Sequence, residues 1–316
     1  MSLADYVLRK TLSTKGVQHL LWTQLRWQLV RRFDDPPCSI QAHGRWLRLP
    51  LSHELPTYLR LFPLYDLLPR RLGAFVRERY GPLKCLDVGA NIGDTIACLY
   101  GGEQDLFVAV EPNPKFNRYL RENWPVPNVK ILGMVCSDQT GKQVFLVDER
   151  FGTTSFHKSA RGTPFETITV DDLVAATPDL AGLHLIKVDT DGNDFAVLAG
   201  AKQTLLGQPA VLFECDVFGN TRYVEDCLET LAQFRAAGYE SMLVYEKFGH
   251  PLGRHELGDL THFKELLLHQ LVKQYTFFDL LLMKEADLLA FHGREKSFFL
   301  DSLPDQSLRA TAAKTV

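Results

Sequence analysis

The sequence contains no apolar run approaching the ~18 residues that a membrane-spanning helix requires. It has no C-x-x-C pair and no large excess of either charge. The six cysteines, Cys38, Cys85, Cys98, Cys136, Cys215 and Cys227, are scattered. Several lie in apolar runs, where a free thiol behaves as a small core residue, a pattern that suits a reducing compartment. The ten histidines show no ligand spacing with these cysteines, so no zinc site is read from spacing. The N-terminus lacks the basic start, apolar middle and small-residue cleavage site of a secretory leader. The expectation is a cytoplasmic protein, at most peripheral to the inner face of a membrane.

What is present describes an ordinary folded chain. Over 316 residues, 46% are hydrophobic and 23% charged, with a net charge of −3. That supplies material for a large core and excludes a disordered or collagen-like chain. Residues 1–33 read as a helix, with Leu20, Leu21, Trp22, Leu25, Leu29 and Val30 at roughly helical spacing. Arg9, Lys10, Lys15, Arg26, Arg31 and Arg32 stand there against one acid, Asp5, so the rest of the chain is the more acidic part. Such a helix either lies on an anionic membrane or packs on the main domain or a partner chain. The acidic remainder offers no basic track for a nucleic-acid backbone.

Residues 39–49 read as β-like with a turn at Gly44, and 64–80 as a helix closed by Gly81-Pro82. From Leu83 onward short apolar strands (83–88, 106–110, 129–135, 183–188, 211–214) alternate with helical stretches (94–102, 114–123, 193–205, 221–237). That alternation predicts a parallel sheet covered on both faces, a doubly wound α/β fold. Residues 138–182 form a polar insertion with two short strands, 143–147 and 153–157, and 275–283 read as a last strand. The organisation expected is an N-terminal helical extension (1–38), one α/β domain (39–302) and a frayed tail (303–316).

Asp87-Val-Gly89-Ala90-Asn91-Ile-Gly93 follows a strand and opens a helix. Gly89 and Gly93 allow a tight turn with no side chain between backbone and ligand. Doubly wound sheets bind nucleotides at such a unit. Glu111 ends the next strand, where an acid can accept both ribose hydroxyls of an adenosine and disfavours a 2′-phosphate. The dinucleotide fingerprint carries three glycines, but here its third position is Asp94, an acid at the helix start where a pyrophosphate would sit. S-adenosylmethionine (SAM) has no phosphate, and its ammonium and sulfonium suit Asp87 and Asp94.

On these residues the sequence resembles the FkbM-type methyltransferase family. Asp87–Asp94, Glu111-Pro112-Asn113, Thr169–Leu173 and Leu185–Asp194 carry the resemblance, and Val211–Glu214 and Val244–Gly249 extend it. It implies a SAM-methyltransferase Rossmann-like fold whose last strand enters antiparallel. It also implies transfer of a methyl group, mainly to hydroxyls of sugars, polyketides and related alcohols. The commonest family pattern has D-V-E-G-x-E where Asp189–Asp194 stand, so Asp191 and Asp194 replace glutamates. The cofactor residues expected are Asp87, Gly89, Ala90, Asn91, Gly93, Asp94, Thr95, Glu111, Pro112, Asn113 and Asp189, with Ser137 and Asp138 where the adenine would lie.

Asp189, Asp191 and Glu214 end neighbouring strands, and Lys187 lies on the same side of its strand as Asp189. Asp191 and Glu214 are the candidate general bases, with Lys187 completing the catalytic set. Three readings stay open: a base; a divalent cation such as Mg²⁺ on Asp189, Asp191 and Glu214; or an ion pair in which Lys187 neutralises the acids. His157, in the insertion, is an alternative base. Phe151, Phe156, Phe165 and Phe218 offer flat faces for a sugar ring. The function expected is O-methylation of a carbohydrate, a glycolipid or polysaccharide precursor, or a related natural product. An NAD-dependent sugar-modifying enzyme and a non-catalytic SAM-binding protein are the alternatives, and assembly into a homo-oligomer is left open. The fourth strand carries no N-P-P-Y-like tetrapeptide of the kind that base methylation would place there.

Overall fold

The computed structural model describes residues 1–150, 152–217, 220–273 and 276–315. The chain opens with two helices, α1 (Leu3–Ser13) and α2 (Gly16–Arg32), in place of the single helix expected. The break falls where Thr14 is extended, with its hydroxyl bonded back to the Lys10 carbonyl, and Gly16 turns to φ +58°. α1 begins at a Ser2–Asp5 capping box and buries Ala4, Val7 and Leu8 in the main core. Arg26 is not part of a solvated basic face. It is buried, and donates from Nε to the Leu51 carbonyl and from Nη2 to the His53 carbonyl, both at 2.8 Å. The segment therefore packs on the domain and leaves an exposed stripe of Val17, Leu20, Leu21, Gln24, Gln28 and Arg31.

Next comes an antiparallel hairpin, β1 (Pro37–Ala42) and β2 (Arg45–Pro50), turning at His43 (φ +50°) and Gly44 (φ +82°). Two left-handed residues give the twist that a tight hairpin needs. A short helix absent from the sequence reading, α3 (Leu55–Leu61), precedes α4 (Leu67–Tyr80), which stops at Gly81 with φ +84°.

The alternating part follows as β3 (Lys84–Val88), α5 (Asp94–Leu99), β4 (Leu106–Val110), α6 (Pro114–Asn123) and β5 (Val129–Leu132). Gly133 ends the strand expected over 129–135. Val135–Cys136 is a separate strand, β6, in a second sheet with β7 (Gly141–Arg150), β8 (Thr153–Lys158) and β9 (Thr163–Ile168), ordered β6-β9-β7-β8. The insertion thus has three strands, not two, packed on Val135, Phe145 and Phe156 with Phe165 against them. Phe151 and Phe218 lie outside the described residues.

The chain returns through α7 (Val170–Ala176), β10 (Leu185–Val188), α8 (Asp194–Ala199), α9 (Lys202–Leu205), β11 (Ala210–Cys215) and α10 (Tyr223–Ala236). One helix was expected over 193–205. It divides at Gly200, where a Cβ would overlap the Ser137 carbonyl. A hairpin, β12 (Ser241–Glu246) and β13 (Pro251–Glu256), leads to α11 (Thr261–Lys273), β14 (Phe278–Leu282), α12 (Glu285–Ser302) and α13 (Gln306–Ala312). α13 buries nothing, so the terminal segment is helical but solvated.

The main sheet runs β13-β12-β14-β11-β10-β3-β4-β5. Strands β5, β4, β3, β10 and β11 are parallel, and β14 enters antiparallel between β11 and β12. Every residue of β10 and β11 is buried, as the apolar runs required, and a separate core covers each face of the sheet. Strand order reverses between β3 and β10, and that switch point opens the crevice where doubly wound sheets bind ligands. Among the described residues no helix is long and apolar enough to cross a membrane.

Candidate active site

The loops after β3 and β10 meet at the switch point. The Asp189 amide donates to the Val88 carbonyl (3.0 Å), and Gly89, at φ +83°, lies so close that a Cβ would overlap the Asp189 carbonyl oxygen. Glycine is required there by the neighbouring loop as well as by φ. Gly93, at φ +86°, packs under Trp124, whose indole N–H donates to its carbonyl (3.0 Å). Asn91 lies between them at φ +47°, a conformation that asparagine tolerates better than most residues.

An open cleft of about 450 Å³ lies against these loops. Val88, Val110, Val135, Cys136 and Phe156 give it apolar walls, while Glu111, Thr154, Asp189, Asp191 and Asn193 supply polar groups. Glu111 is buried. Its two carboxylate oxygens accept from the Asn91 amide (2.9 Å) and the Asn113 amide (2.8 Å), so its orientation is fixed before any ligand arrives. Burial, opposed by those two bonds, pushes its pKa up to about 7.

Asp87 is fully buried, and among the described residues neither of its carboxylate oxygens has a hydrogen-bond partner. Burial raises it to about 6, against the pull of Lys187, its neighbour across β3 and β10. A buried acid with two unpaired oxygens is costly unless a cation comes near. Asp94 is pushed up to about 7 by burial and by Asp66, and Thr95 and Ala90 are buried behind it in the turn. An apolar slot with a fixed acid at the next strand end, and further desolvated acids beside it, fits an adenosine carrying cationic groups.

The neighbouring floor is acidic. Lys187 Nζ donates to Asp189 at 2.8 Å; burial alone would lower its pKa, but Asp189 and Asp87 hold it well above its ordinary value. Asp191, at φ +51°, lines the cleft. Burial first, and then Asp189 and Asp194, hold its carboxyl well above the usual range. Glu214 is buried and raised for the same reasons. One carboxylate oxygen from each of Asp189, Asp191 and Glu214 lies within 4.8 Å of the others. Asp191 holds left-handed backbone, a region that aspartate enters more readily than most residues. Asp194 is turned inward: it accepts from the Thr190 amide (3.1 Å), the Thr190 hydroxyl (3.0 Å) and the Gly192 amide (3.3 Å), which braces the loop.

Several expected residues hold the site from outside it. Asn113 caps α6 through the Lys115 amide (2.8 Å) and donates to Glu149 (3.0 Å) and Thr154 (2.8 Å), tying the cofactor side to the insertion. Ser137 is buried against Gln143, and Asp138 pairs with Lys158, so both anchor the insertion; Val135 and Cys136 line the cleft at this strand end. Pro112 lines the cleft as expected. His157 alternates along β8 with Thr154 and Phe156, which line the cleft, and so faces the other side. That removes it as a base.

Sequence reasoning missed His53. It is buried, accepts from the Leu55 amide on Nδ1 (3.1 Å), and so presents Nε2–H to Asn91 Oδ1 (3.3 Å). Burial lowers its pKa to about 4, so the ring is neutral and its tautomer is set by these two partners. Asp279, opposite Glu214 in the β11–β14 register, was also missed; burial and Asp189 raise it to about 8. No motif flags either residue, because each arrives from a strand or loop far away in sequence.

Residues 87–241 match the family model described as the methyltransferase FkbM domain. No curated protein matches the chain. Similar solved structures include a precorrin-6y C5,15-methyltransferase from Geobacter metallireducens, 10% identical, covering 68% of this chain and 87% of that one at a TM-score of 0.36. A SAM-dependent O-methyltransferase from Thermotoga maritima is 12% identical over 67% of this chain and 64% of that one, TM-score 0.36. TYW2 of M. jannaschii in complex with AdoMet is 11% identical over 78% and 86%, TM-score 0.36.

Proposed function

The chain carries an FkbM-family methyltransferase domain over residues 87–241 and is a SAM-dependent methyltransferase; on that premise we propose that it methylates a hydroxyl oxygen of a carbohydrate or similar polyol. The observation that carries this reading is the approach of the half-buried Asp191 and the buried Glu214 beside the loops after β3 and β10, where desolvation and neighbouring acids hold both carboxyls above their ordinary range.

Glu111 holds the ribose, the apolar walls hold the adenine, and Asp87, Asp94 and Asp189 face the cationic end of the cofactor. SAM, when bound, supplies a methyl group on a sulfonium. An alcohol is a weak nucleophile at neutral pH, so removing its proton during attack lowers the barrier. Asp191 lines the cleft, and its Oδ accepts that proton. Burial and then the neighbouring acids raise its proton affinity, which strengthens it as a base. Carboxylates only accept hydrogen bonds, so a floor of several acids suits a polyol, which donates several.

The divalent-cation reading rests on the approach of Asp189, Asp191 and Glu214 to one another. The Lys187 ammonium already neutralises Asp189 and favours the base reading, so omission of Mg²⁺ is expected to leave the rate unchanged. The exposed stripe on α2, apolar at Val17, Leu20 and Leu21 and basic at Arg31, favours an acceptor carried on an anionic membrane surface. Retention of binding to anionic vesicles after replacing those four residues counts against that part.

The test is transfer of labelled methyl from SAM into a fractionated cell extract. Label is expected in glycan or glycolipid, falling about 10²- to 10⁴-fold in Asp191→Asn while the SAM Kd stays within about threefold. Label confined to protein or nucleic acid overturns the acceptor class. An unchanged rate in Asp191→Asn overturns the base.

A further inference from the structure

We propose that His43, Asp66 and Cys98 bind a divalent transition-metal ion of the zinc class, at a site separate from the acidic floor of the cleft. The three residues come from distant parts of the chain: the β1–β2 turn, the residue before α4, and the last turn of α5. One ligand-capable atom from each lies within 4.8 Å of the others. His43 Nε2 and Asp66 Oδ2 are sealed from solvent, and among the described residues neither has a hydrogen-bond partner. The His43 side chain is only 7% exposed.

The separation between those two atoms is 3.6 Å, beyond the hydrogen-bond range. It is near the separation of about 3.4 Å for nitrogen and oxygen ligands at ~2.0–2.2 Å from a tetrahedral ion. Asp66 also holds left-handed backbone, φ +61°, at a cost of about 1–3 kcal/mol. Asp66 stands at the N-cap of α4, where aspartate ordinarily caps, yet its side chain makes no cap bond. Its carboxylate is instead turned toward His43.

The ligand chemistry selects the ion. One imidazole nitrogen, one carboxylate oxygen and one sulfur form a mixed set that suits Zn²⁺ or Co²⁺ and not Mg²⁺ or Ca²⁺, which take oxygen. On binding, the Cys98 thiol loses its proton to solvent and the sulfur–metal bond forms. Three protein ligands leave a fourth position for water. The ion would fasten the N-terminal hairpin and the start of α4 to α5, the helix that the cofactor loop opens.

The test uses the full-length reduced chain, stripped of metal and titrated with Co²⁺. A near-ultraviolet sulfur-to-cobalt charge-transfer band is expected in the wild type, with loss of the band in Cys98→Ser. Asp66→Asn should weaken Co²⁺ binding by at least about 10-fold, since losing a ligand costs no less than losing an outer-shell partner, and Asp191→Asn should leave the band unchanged. Circular dichroism checks that the variants are folded; if Cys98→Ser is not, the Asp66→Asn titration decides. No band at excess Co²⁺, a band that survives in Cys98→Ser, or Co²⁺ affinity unchanged in Asp66→Asn overturns the proposal.

Discussion

Glu111→Gln is the perturbation whose consequence the structure specifies most closely. The Glu111 carboxylate accepts one backbone N–H on each oxygen, from Asn91 and Asn113, and its remaining lone pairs are left for the ribose hydroxyls. An amide in its place must turn its NH₂ toward one of those N–H groups, so one brace is lost together with the charge. A hydrogen bond to a charged group contributes about 1.5–3 kcal/mol, equivalent to a rise in SAM Kd of about 10- to 150-fold. Isothermal titration with SAM measures it. The pH dependence gives a second readout. Burial raises Glu111 to about 7, so below that pH the free protein carries it increasingly protonated, whereas the ribose favours the ionised form. Wild-type affinity should therefore weaken as pH falls below about 7, and the variant should lose that part of the dependence. A Kd change under about threefold, with an unaltered pH profile, refutes the assignment of Glu111 to the ribose.

Three further outcomes follow from the same geometry. Asp94, Glu111 and Asp194 are raised to about 7 and Asp279 to about 8, chiefly by burial, so the folded chain binds their protons more tightly than the unfolded chain does. The resulting stability is present near the unfolded pKa of about 4 and lost as pH rises through 7–8. The Tm of the cofactor-free protein should fall between about pH 5 and 8, and saturating SAM, being cationic there, should flatten the fall; a flat or rising Tm without SAM contradicts this. Gly89→Ala places a Cβ on the Asp189 carbonyl at a left-handed φ and should cost at least about 2 kcal/mol in urea unfolding, with SAM binding lost; near-wild-type stability would show that the loops are free to separate. Arg26→Ala strands the carbonyls of Leu51 and His53 and should destabilise by about 2–5 kcal/mol, whereas a loss under about 1 kcal/mol would return Arg26 to the solvated face.

Local chemistry made the glycine turn after β3 and the acid after β4 legible in the sequence. The turn after β3 needs Gly89 and Gly93 within a few residues of Asp87, and the strands must be apolar because both sheet faces are covered. Glu111 stands out for the same reason: an acid directly follows a buried strand. These constraints act over short stretches of chain, so periodicity and spacing reveal them. Tertiary structure decided what depends on which strands become neighbours. His53 reaches Asn91 from the segment after β2, Asp279 meets Glu214 through the antiparallel β14, and His43, Asp66 and Cys98 converge from three elements. Arg26 carries a charge that reads as surface until the Leu51 and His53 carbonyls are seen beside it. The elevated pKa values of Asp191 and Glu214 belong to the same class, because desolvation and like charge are properties of the assembled crevice and not of either residue.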